Sequence, residues 1–382
     1  MIKPLFITCA ALFLTSMATS QSYSPRELGM GGTSVASADY LTAGFSNPAL
    51  LTNYSADTDE DWGIVVPNVG LSLSDRNNLM DAIDEFNTTF DSLSGGGGTL
   101  VELGNLADSL NALSDKHFSV GAGSGLTVAI PTDSFNAALV ISTTVEADGF
   151  MNIDPGDAAG IEDGTFPGLN SEAVLLASFR TEIGLAMAKE FEIGERTYSF
   201  GITPKIQNVE ILDVVAAADN SLDLDGEIDS ENRFTDDNFN IDIGAATMID
   251  DNVRLGMTAR NLMGGTFSGL SGLYNYEMTP ALSAGVAYAK GAITLAADLD
   301  LTSTTRFQEI TSDDSQFLRL GAETSWKWAQ LRAGYIIDLE DNYANMATAG
   351  FGFSPFGVMH LDFSGAVGEN SYAAAFALSF TF

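Results

Sequence analysis

Apolar residues alternate with small or polar residues along most of the chain, and the alternation is clearest at the C-terminal end. One face of this last segment carries large or apolar side chains and the other carries small ones: Tyr372, Ala374, Phe376, Leu378, Phe380 and Phe382 lie opposite Ala373, Ala375, Ala377, Ser379 and Thr381. A period of two predicts a β-strand. Because one face is apolar and the other weakly polar, we expect this strand to lie between lipid and a wet interior.

The same alternation recurs with isolated charges at residues 315–327 and 329–338. In the first segment Leu320 lies on the face opposite to Arg319, and in the second Arg332 lies opposite to the apolar residues. Single charges inside an otherwise apolar strand mark the side that faces water. Both segments are therefore predicted to separate lipid from an aqueous lumen.

Counting every alternating segment gives about fourteen predicted strands. They are residues 61–75, 117–131, 134–147, 174–192, 196–213, 236–250, 252–262, 277–289, 291–303, 315–327, 329–338, 345–355, 357–367 and 370–382. An even count is typical of a single-chain bacterial barrel, and a tilted strand of about 9–11 residues crosses the hydrocarbon. The predicted fold class is all-β: a closed, antiparallel transmembrane β-barrel of about fourteen strands spanning residues 61–382.

The connections and the aromatic residues fit this barrel. Short connections at 250–252 and 290–291 suit periplasmic turns, and long acidic ones at 147–173, 213–237 and 304–315 suit external loops. Several aromatic residues near strand ends are placed for interfacial girdles: Tyr288, Trp326, Trp328, Tyr335 and Tyr372.

The N-terminus has the features of a secretory signal peptide. Lys3 precedes an apolar run, Pro4 to Leu14, and the small residues Ala18, Thr19 and Ser20 follow. This run is shorter than the roughly 20 residues of a transmembrane helix. We expect residues 1–20 to be removed before Gln21 and the mature chain to reach the outer membrane without a cysteine.

Charge and composition narrow the partners. The chain has 16 Lys and Arg against 51 Asp and Glu, a formal net charge of −35, which argues against nucleic acid. The expected partners are outer-membrane lipids, a small hydrophobic ligand and the barrel assembly machinery, which would recognise the terminal strand through Phe380 and Phe382. No residue pattern indicates a cofactor or a metal.

One segment departs from the β pattern. Residues 76–94 and the run after Gly95–Gly98 place leucine, isoleucine and phenylalanine at helical spacing, which predicts a helical hairpin within residues 76–115. The expected role is a packed loop that caps one mouth of the barrel. The alternative is an arm that binds a partner protein.

Three motifs precede the first strand: Arg26-Glu27-Leu28-Gly29-Met30-Gly31-Gly32-Thr33, then Ala36-Ser37-Ala38-Asp39, then Asn47-Pro48-Ala49-Leu50. Their order resembles that of FadL-type outer-membrane transporters of hydrophobic compounds. It is still more similar to that of the TraF-like barrels, a family named for conjugal transfer. The helical insert and Thr203-Pro204-Lys205 extend the second resemblance over most of the mature chain.

The resemblance implies that residues 21–60 form a hatch inside the barrel, with Gly29, Gly31, Gly32, Asn47 and Pro48 along the hatch and the substrate path. Glycine permits positive φ and close approach of backbones in a crowded interior. A barrel of fourteen strands is wider than its own side chains can fill. The glycines and the wide interior both favour a plug.

Other chemistries fit poorly. Gly29, Gly31 and Gly32 lack the spacing of a dinucleotide-binding loop, and the Asp223-to-Gly226 run lacks the terminal ligands of a calcium loop. His360, Asp362 and Ser364 share one strand face with no oxyanion motif beside them. The sequence therefore predicts no enzyme.

The alternation also predicts which charged residues face the lumen: Arg180, Glu182, Lys205, Arg254, Arg260, Asp298, Asp300, Arg319, Glu323 and Arg332. In one interpretation they bond to the hatch and to each other. In the other they form a charge-selective pore wall.

Two functions remain open. The first is a FadL-like port for small hydrophobic molecules, taken in and released sideways. The second is a structural barrel for conjugation or secretion that transports nothing; the thioredoxin-fold activity of the namesake F-plasmid protein is excluded because the mature chain lacks cysteine. A continuous apolar cavity between hatch and wall would favour the port, and a dry, polar, packed lumen would favour the structural barrel.

Overall fold

A computed structural model describes residues 24–54, 62–75, 77–93, 99–130, 132, 135–164, 168–218, 233–307 and 313–382. The predicted signal peptide, Arg76, the four-glycine run 95–98 and the acidic run around Asp223 lie outside the described residues.

Fourteen strands close an antiparallel barrel. They are β1 Gly63–Ser74, β2 His117–Ile130, β3 Asn136–Asn152, β4 Glu172–Ile193, β5 Arg196–Ala217, β6 Phe234–Asp250, β7 Val253–Arg260, β10 Ala281–Lys290, β11 Ile293–Asp300, β12 Phe317–Ser325, β13 Ala329–Asp338, β14 Met346–Phe353, β15 Met359–Gly368 and β16 Ser371–Thr381. Each pairs with its neighbour in this order, and β1 pairs with β16, with Leu71 opposite Ala374. The predicted fold class is confirmed.

Two short strands, β8 Gly265–Ser268 and β9 Asn275–Met278, form a separate hairpin between β7 and β10. The prediction of one strand over residues 277–289 is wrong at its start, because β9 ends at Met278 and β10 begins at Ala281. Pro280 lies between them and has no N–H for a strand ladder. The hairpin was not predicted at all.

The outer wall is apolar where the alternation requires it. Leu255, Met257, Leu331 and Tyr335 are exposed on this wall, while Arg332 on the opposite face is buried. A lipid-facing barrel surface needs this distribution.

Aromatic residues gather at the end of the barrel that carries its short turns. Trp326 and Trp328 are exposed there, and the ring of Trp62 stacks on that of Phe382 with centroids 4.4 Å apart. We call this end the short-turn end and the opposite end the long-loop end.

In the described part of the chain four α-helices accompany the barrel: α1 Pro25–Gly29, α2 Leu79–Leu93, α3 Leu100–Asn111 and α4 Pro155–Glu162. Asp75 accepts a hydrogen bond from the backbone N–H of Leu79 at 2.7 Å where α2 begins, and Thr99 and Glu102 form a capping box at the start of α3. No helix in the described part of the chain is long and apolar enough to cross a membrane.

Helices α2, α3 and α4 pack on the outside of the wall. Leu79, Ile83 and Leu110 share an apolar core with Ala147 and Leu212 on the strands. Ala147 points outward, because its neighbours in β3, Glu146 and Asp148, belong to the face that meets luminal Arg306.

The expectation that the helical insert caps a barrel mouth is therefore wrong. The reason lies in strand length, since β4 and β5 have 22 residues each, far more than the roughly 9–11 that cross the hydrocarbon. Outward apolar residues on their extra length need a cover, and the helices provide it.

Candidate functional site

The N-terminal segment, residues 24–54, lies inside the barrel against glycines of the wall. A Cβ added to Gly334 would be 2.2 Å from the backbone nitrogen of Gly31, and one added to Gly256 would be 2.1 Å from the carbonyl oxygen of Val35. Gly31 and Gly32 themselves have φ of 67° and 81°. Glycine on both sides lets the two backbones touch, as the crowded interior of a plugged barrel requires.

Gly29 makes the same kind of contact. A Cβ on Gly29 would be 3.0 Å from Cα of Gly350 in β14. Together with α1, this contact holds the start of the segment against the β13–β15 wall.

Asn47 joins both halves of the N-terminal segment to the wall. Its side-chain oxygen accepts a hydrogen bond from the backbone N–H of Ala49 at 3.1 Å, which caps the 3₁₀ helix Pro48–Asn53. Its side-chain nitrogen donates to the carbonyl oxygens of Val35 at 2.7 Å and Ala245 at 3.3 Å. Pro48 begins the helix, where a missing N–H costs nothing.

Ion pairs attach the segment at a second place. Arg26 donates from Nε and Nη2 to the two carboxylate oxygens of Glu323, both at 3.1 Å. Glu323 also accepts from Arg332 Nε at 2.7 Å, and Arg332 pairs with Asp362. Burial opposes the charge of Arg26, but the nearby carboxylates, Glu323 first and then Asp39, more than compensate and raise the pKa of the guanidinium above its usual value.

A carboxylate of the wall caps the segment's backbone at a third place. Asp298 accepts hydrogen bonds from the backbone N–H groups of Ser34 at 2.6 Å and Val35 at 2.8 Å. Charge-assisted bonds of this type are among the stronger ones in proteins.

Glu27, in α1, is the exception to this pairing. The residue is 0% exposed, and none of the described residues donates a hydrogen bond to either of its carboxylate oxygens. The nearby Thr42 hydroxyl donates to Asp39 instead, at 3.1 Å. Burial, and then the charge of Asp39, raise the pKa of Glu27 well above its ordinary value despite Arg26.

The wall carries two further charge networks. Arg319 binds Asp300 through its two terminal guanidinium nitrogens, Nη1 at 2.7 Å and Nη2 at 2.9 Å. Arg180 Nε lies 3.1 Å from Glu182, and Lys205 Nζ lies 3.5 Å from Glu182 and 2.9 Å from Asp242.

All ten charged residues predicted to face the lumen lie on the luminal face. Within the described part of the chain, Arg254 and Arg260 form no ion pair or hydrogen bond through their side chains. The other eight bond to the N-terminal segment, to each other or to both. The wall thus carries both signs, and most of its charge is neutralised locally.

The β8–β9 hairpin closes the long-loop end of the lumen. Phe267, Tyr276 and Phe307 pack against luminal Val209 and Ile211 in one apolar cluster. The Arg306 guanidinium fixes the adjoining chain by pairing with Asp148 at 3.2 Å and Asp313 at 2.7 Å. The strand pattern did not predict this hairpin, although Gly269 and Gly272, which lie between Phe267 and Tyr274, are typical of a hairpin turn.

A cavity of about 170 Å³ lies between the N-terminal segment and this hairpin. Phe45, Val140, Met278 and Phe317 supply apolar surface, and the charged lining residues are Glu146, Arg180, Glu182, Lys205, Asp242, Arg260, Glu277 and Arg306. The cavity is therefore neither the continuous apolar channel nor the fully packed lumen that the sequence left as alternatives.

No catalytic arrangement accompanies His360 within the described residues. Its Nδ1 is 2.7 Å from the hydroxyl of Ser354 and its Nε2 is 3.3 Å from that of Thr381, while Asp362 pairs with Arg332. The part of the chain that the structure describes also includes no cluster of three or more His, Cys, Asp or Glu placed to hold a metal ion.

Solved structures with a similar fold include transporters of toluene. The toluene transporter TodX of P. putida has a TM-score of 0.55 and 13% identity, over 95% of this chain and 99% of that chain. The toluene transporter TbuX of Ralstonia pickettii has a TM-score of 0.52 and 11% identity, over 95% and 99%. A Pseudomonas aeruginosa FadL homologue has a TM-score of 0.50 and 13% identity, over 96% and 99%.

No curated protein sequence matches the chain significantly. A family model described as "F plasmid transfer operon, TraF, protein" matches residues 44–300, more than half of the chain. The matched range contains the Asn47 turn, the helical insert, the β8–β9 hairpin and most of the cavity lining. The chain belongs to this TraF family, and its fold is that of the FadL-type barrels.

Proposed function

We propose that the protein is an outer-membrane port for small hydrophobic molecules and not an enzyme. The proposal rests on the cavity inside the closed barrel, whose outer wall is apolar. Two chain segments, the N-terminal segment and the β8–β9 hairpin, close this cavity on either side. Neither of these two segments belongs to the strands of the closed barrel, so either could move without breaking a barrel strand pairing. The apolar outer wall would then face the outer-membrane lipids.

The size of the cavity supports a small ligand. A cavity of about 150 Å³ accommodates a benzene molecule, and this one has about 170 Å³. Transport of toluene by proteins of the same fold supports the same size class.

A sideways exit is available in β1. The pairing of β1 with both β2 and β16 shifts between Val65 and Asn68, so the ladder is interrupted on both sides. Pro67 lies within the interruption and has no N–H to donate. Asn68 and its partner Gly125 line the cavity. We propose that the ligand leaves the cavity here towards the lipid.

The test is uptake of radiolabelled toluene by Gram-negative cells that lack other hydrocarbon ports and express the chain. We expect faster uptake than in cells without it, and slower uptake when Ser142→Leu, opposite Gly125 on β3, fills the cavity beside the interruption. Gly365→Leu, on the lipid face of β15, is the matched control. Equal uptake with and without the chain would refute the port.

The second candidate is a structural barrel for conjugation or secretion. The locally neutralised lumen and the family description favour it. It requires that loss of the chain impair plasmid transfer or secretion while small-molecule uptake stays unchanged.

A further inference from the structure

Arg260 is a cation of the cavity wall that forms no ion pair with any of the described residues. It is the last residue of β7, it faces the lumen opposite Ala281 of β10, and it lines the cavity. Its Nε is buried and has no hydrogen-bond partner in the described part of the chain. A guanidinium has five N–H donors and no acceptor.

The carboxylates whose charges act on Arg260 are already engaged elsewhere. Asp242 accepts from Lys205 at 2.9 Å and from the backbone N–H of Asn261 at 2.7 Å. Asp300 accepts hydrogen bonds from the two terminal nitrogens of Arg319, from the Ser283 hydroxyl and from the backbone N–H of Phe317.

Glu182, the third carboxylate, completes this pattern. It binds Arg180, Lys205 and Gln207. Each of these three carboxylates is therefore shared with another cation, and none of them forms an ion pair with Arg260.

A partly desolvated charge without a partner is unfavourable. The planar fork of a guanidinium matches a carboxylate through two parallel hydrogen bonds. Phe45, Val140 and Phe317 line the same cavity and offer apolar surface to the rest of a ligand. A volume of about 170 Å³ restricts that ligand to one ring or a short chain.

We propose that the cavity binds a compact carboxylic acid in its ionised form, with the carboxylate on Arg260 and the apolar body against the aromatic lining. This inference rests on the proposed function in one respect: it narrows the cargo of the port from small hydrophobic molecules to small hydrophobic anions.

The test is equilibrium dialysis of radiolabelled benzoate against the purified full-length barrel in detergent, with benzamide as the neutral molecule of the same shape. Benzoate is expected to bind at least about tenfold more tightly than benzamide. Arg260→Gln should remove this preference. Arg254→Gln is the matched control, since Arg254 lies on the same face of β7, is also unpaired within the described residues, and is outside the cavity.

Equal affinity for benzoate and benzamide in the parent protein would overturn the proposal, and this comparison needs no variant to fold. Benzoate binding by Arg260→Gln at the parent's affinity would overturn it as well. Binding of inorganic phosphate without benzoate would show a general anion site and overturn the carboxylate assignment. Toluene uptake with no benzoate binding would support the port and refute the anion site. Benzoate binding without any uptake would support the anion site and refute the port.

Discussion

The contact between Gly244 and Asn47 provides the sharpest test of how the N-terminal segment is held. A methyl group on Gly244 would place Cβ 1.9 Å from the Asn47 side-chain oxygen and 3.0 Å from the nitrogen of Ala49. Both residues belong to the 3₁₀ turn that docks on β6. Gly244→Ala therefore cannot be accommodated unless this turn moves.

The size of the effect follows from what the turn loses. Overpacking by one methyl group costs about 1–3 kcal/mol. If Asn47 rotates away, its bonds to Val35, Ala245 and Ala49 are lost, each worth about 0.5–1.5 kcal/mol. The first route weakens docking by about 1–3 kcal/mol and the second by about 1.5–4.5 kcal/mol. Either one raises the undocked population roughly fivefold or more.

Single-channel recording in planar bilayers measures this population as the frequency and duration of conducting events. We expect far more frequent openings for Gly244→Ala than for the parent. Asn47→Ala should show the loss of the hydrogen bonds without the clash, and Gly365→Ala, where a Cβ meets only the carbonyl oxygen of Ala373 at 3.4 Å, should behave as the parent. A folded Gly244→Ala barrel with the parent's conductance would refute the docking argument.

Four further predictions concern the segment, the wall and the helices. Deletion of residues 26–54 should give a folded barrel with larger conductance and cells with greater antibiotic sensitivity; a folded but equally tight barrel would place the seal elsewhere. Deletion of Phe382, which stacks on Trp62, should lower the heat-modifiable folded fraction, and an unchanged yield would contradict this. The pKa of Glu27 is raised in the folded protein. Its contribution to stability is therefore full below the ordinary glutamate pKa and is lost as pH rises through the raised pKa. Glu27→Gln should thus flatten the fall in thermal stability above the ordinary glutamate pKa, and parallel curves for parent and variant would refute this. Leu110→Ala should cost about 2–5 kcal/mol in urea unfolding of the helical insert while conductance stays the same, and a changed conductance would show that the helices reach the lumen.

The barrel was predictable because alternation is a local property. In β13 the sequence alone shows which face each residue occupies. The observed strand, Ala329–Asp338, agrees with the predicted range 329–338 at both ends. The extra length of β4 and β5 was partly missed. In β4 the end near the long loops is buried on both faces, since Ala173 to Ser178 are all buried, and the alternation is lost there.

Other features depend on contacts that a strand pattern does not encode. An amphipathic helix has one apolar face, but the pattern does not say whether this face covers a mouth or an outer wall. Likewise, alternation assigns Arg260 and Arg319 to the lumen in the same way, yet of these two only Arg319 binds a carboxylate of the described residues. The β8–β9 hairpin has strands of four residues each, too short for a periodic pattern.

The mode of docking has a consequence for gating. An apolar plug packed into an apolar lumen would be part of the core, and its release would expose large hydrophobic area to water. The N-terminal segment is held in both ways, by apolar and by polar contacts. Ala43, Leu50 and Leu51 share an apolar core with Ala138 and Ala186 of the wall. Arg26 also pairs with Glu323, and Asp298 accepts from two backbone N–H groups of the segment. The Coulombic gain of a buried ion pair is largely offset by desolvation, so the Arg26–Glu323 pair loses little free energy when water replaces each partner, whereas the apolar contacts lose their burial. The strand ladder has no such substitute in lipid, where an unpaired backbone group costs several kcal/mol. Release of the segment would therefore cost the burial of its apolar side chains but no strand hydrogen bond, so the wall would stay closed if the segment were displaced.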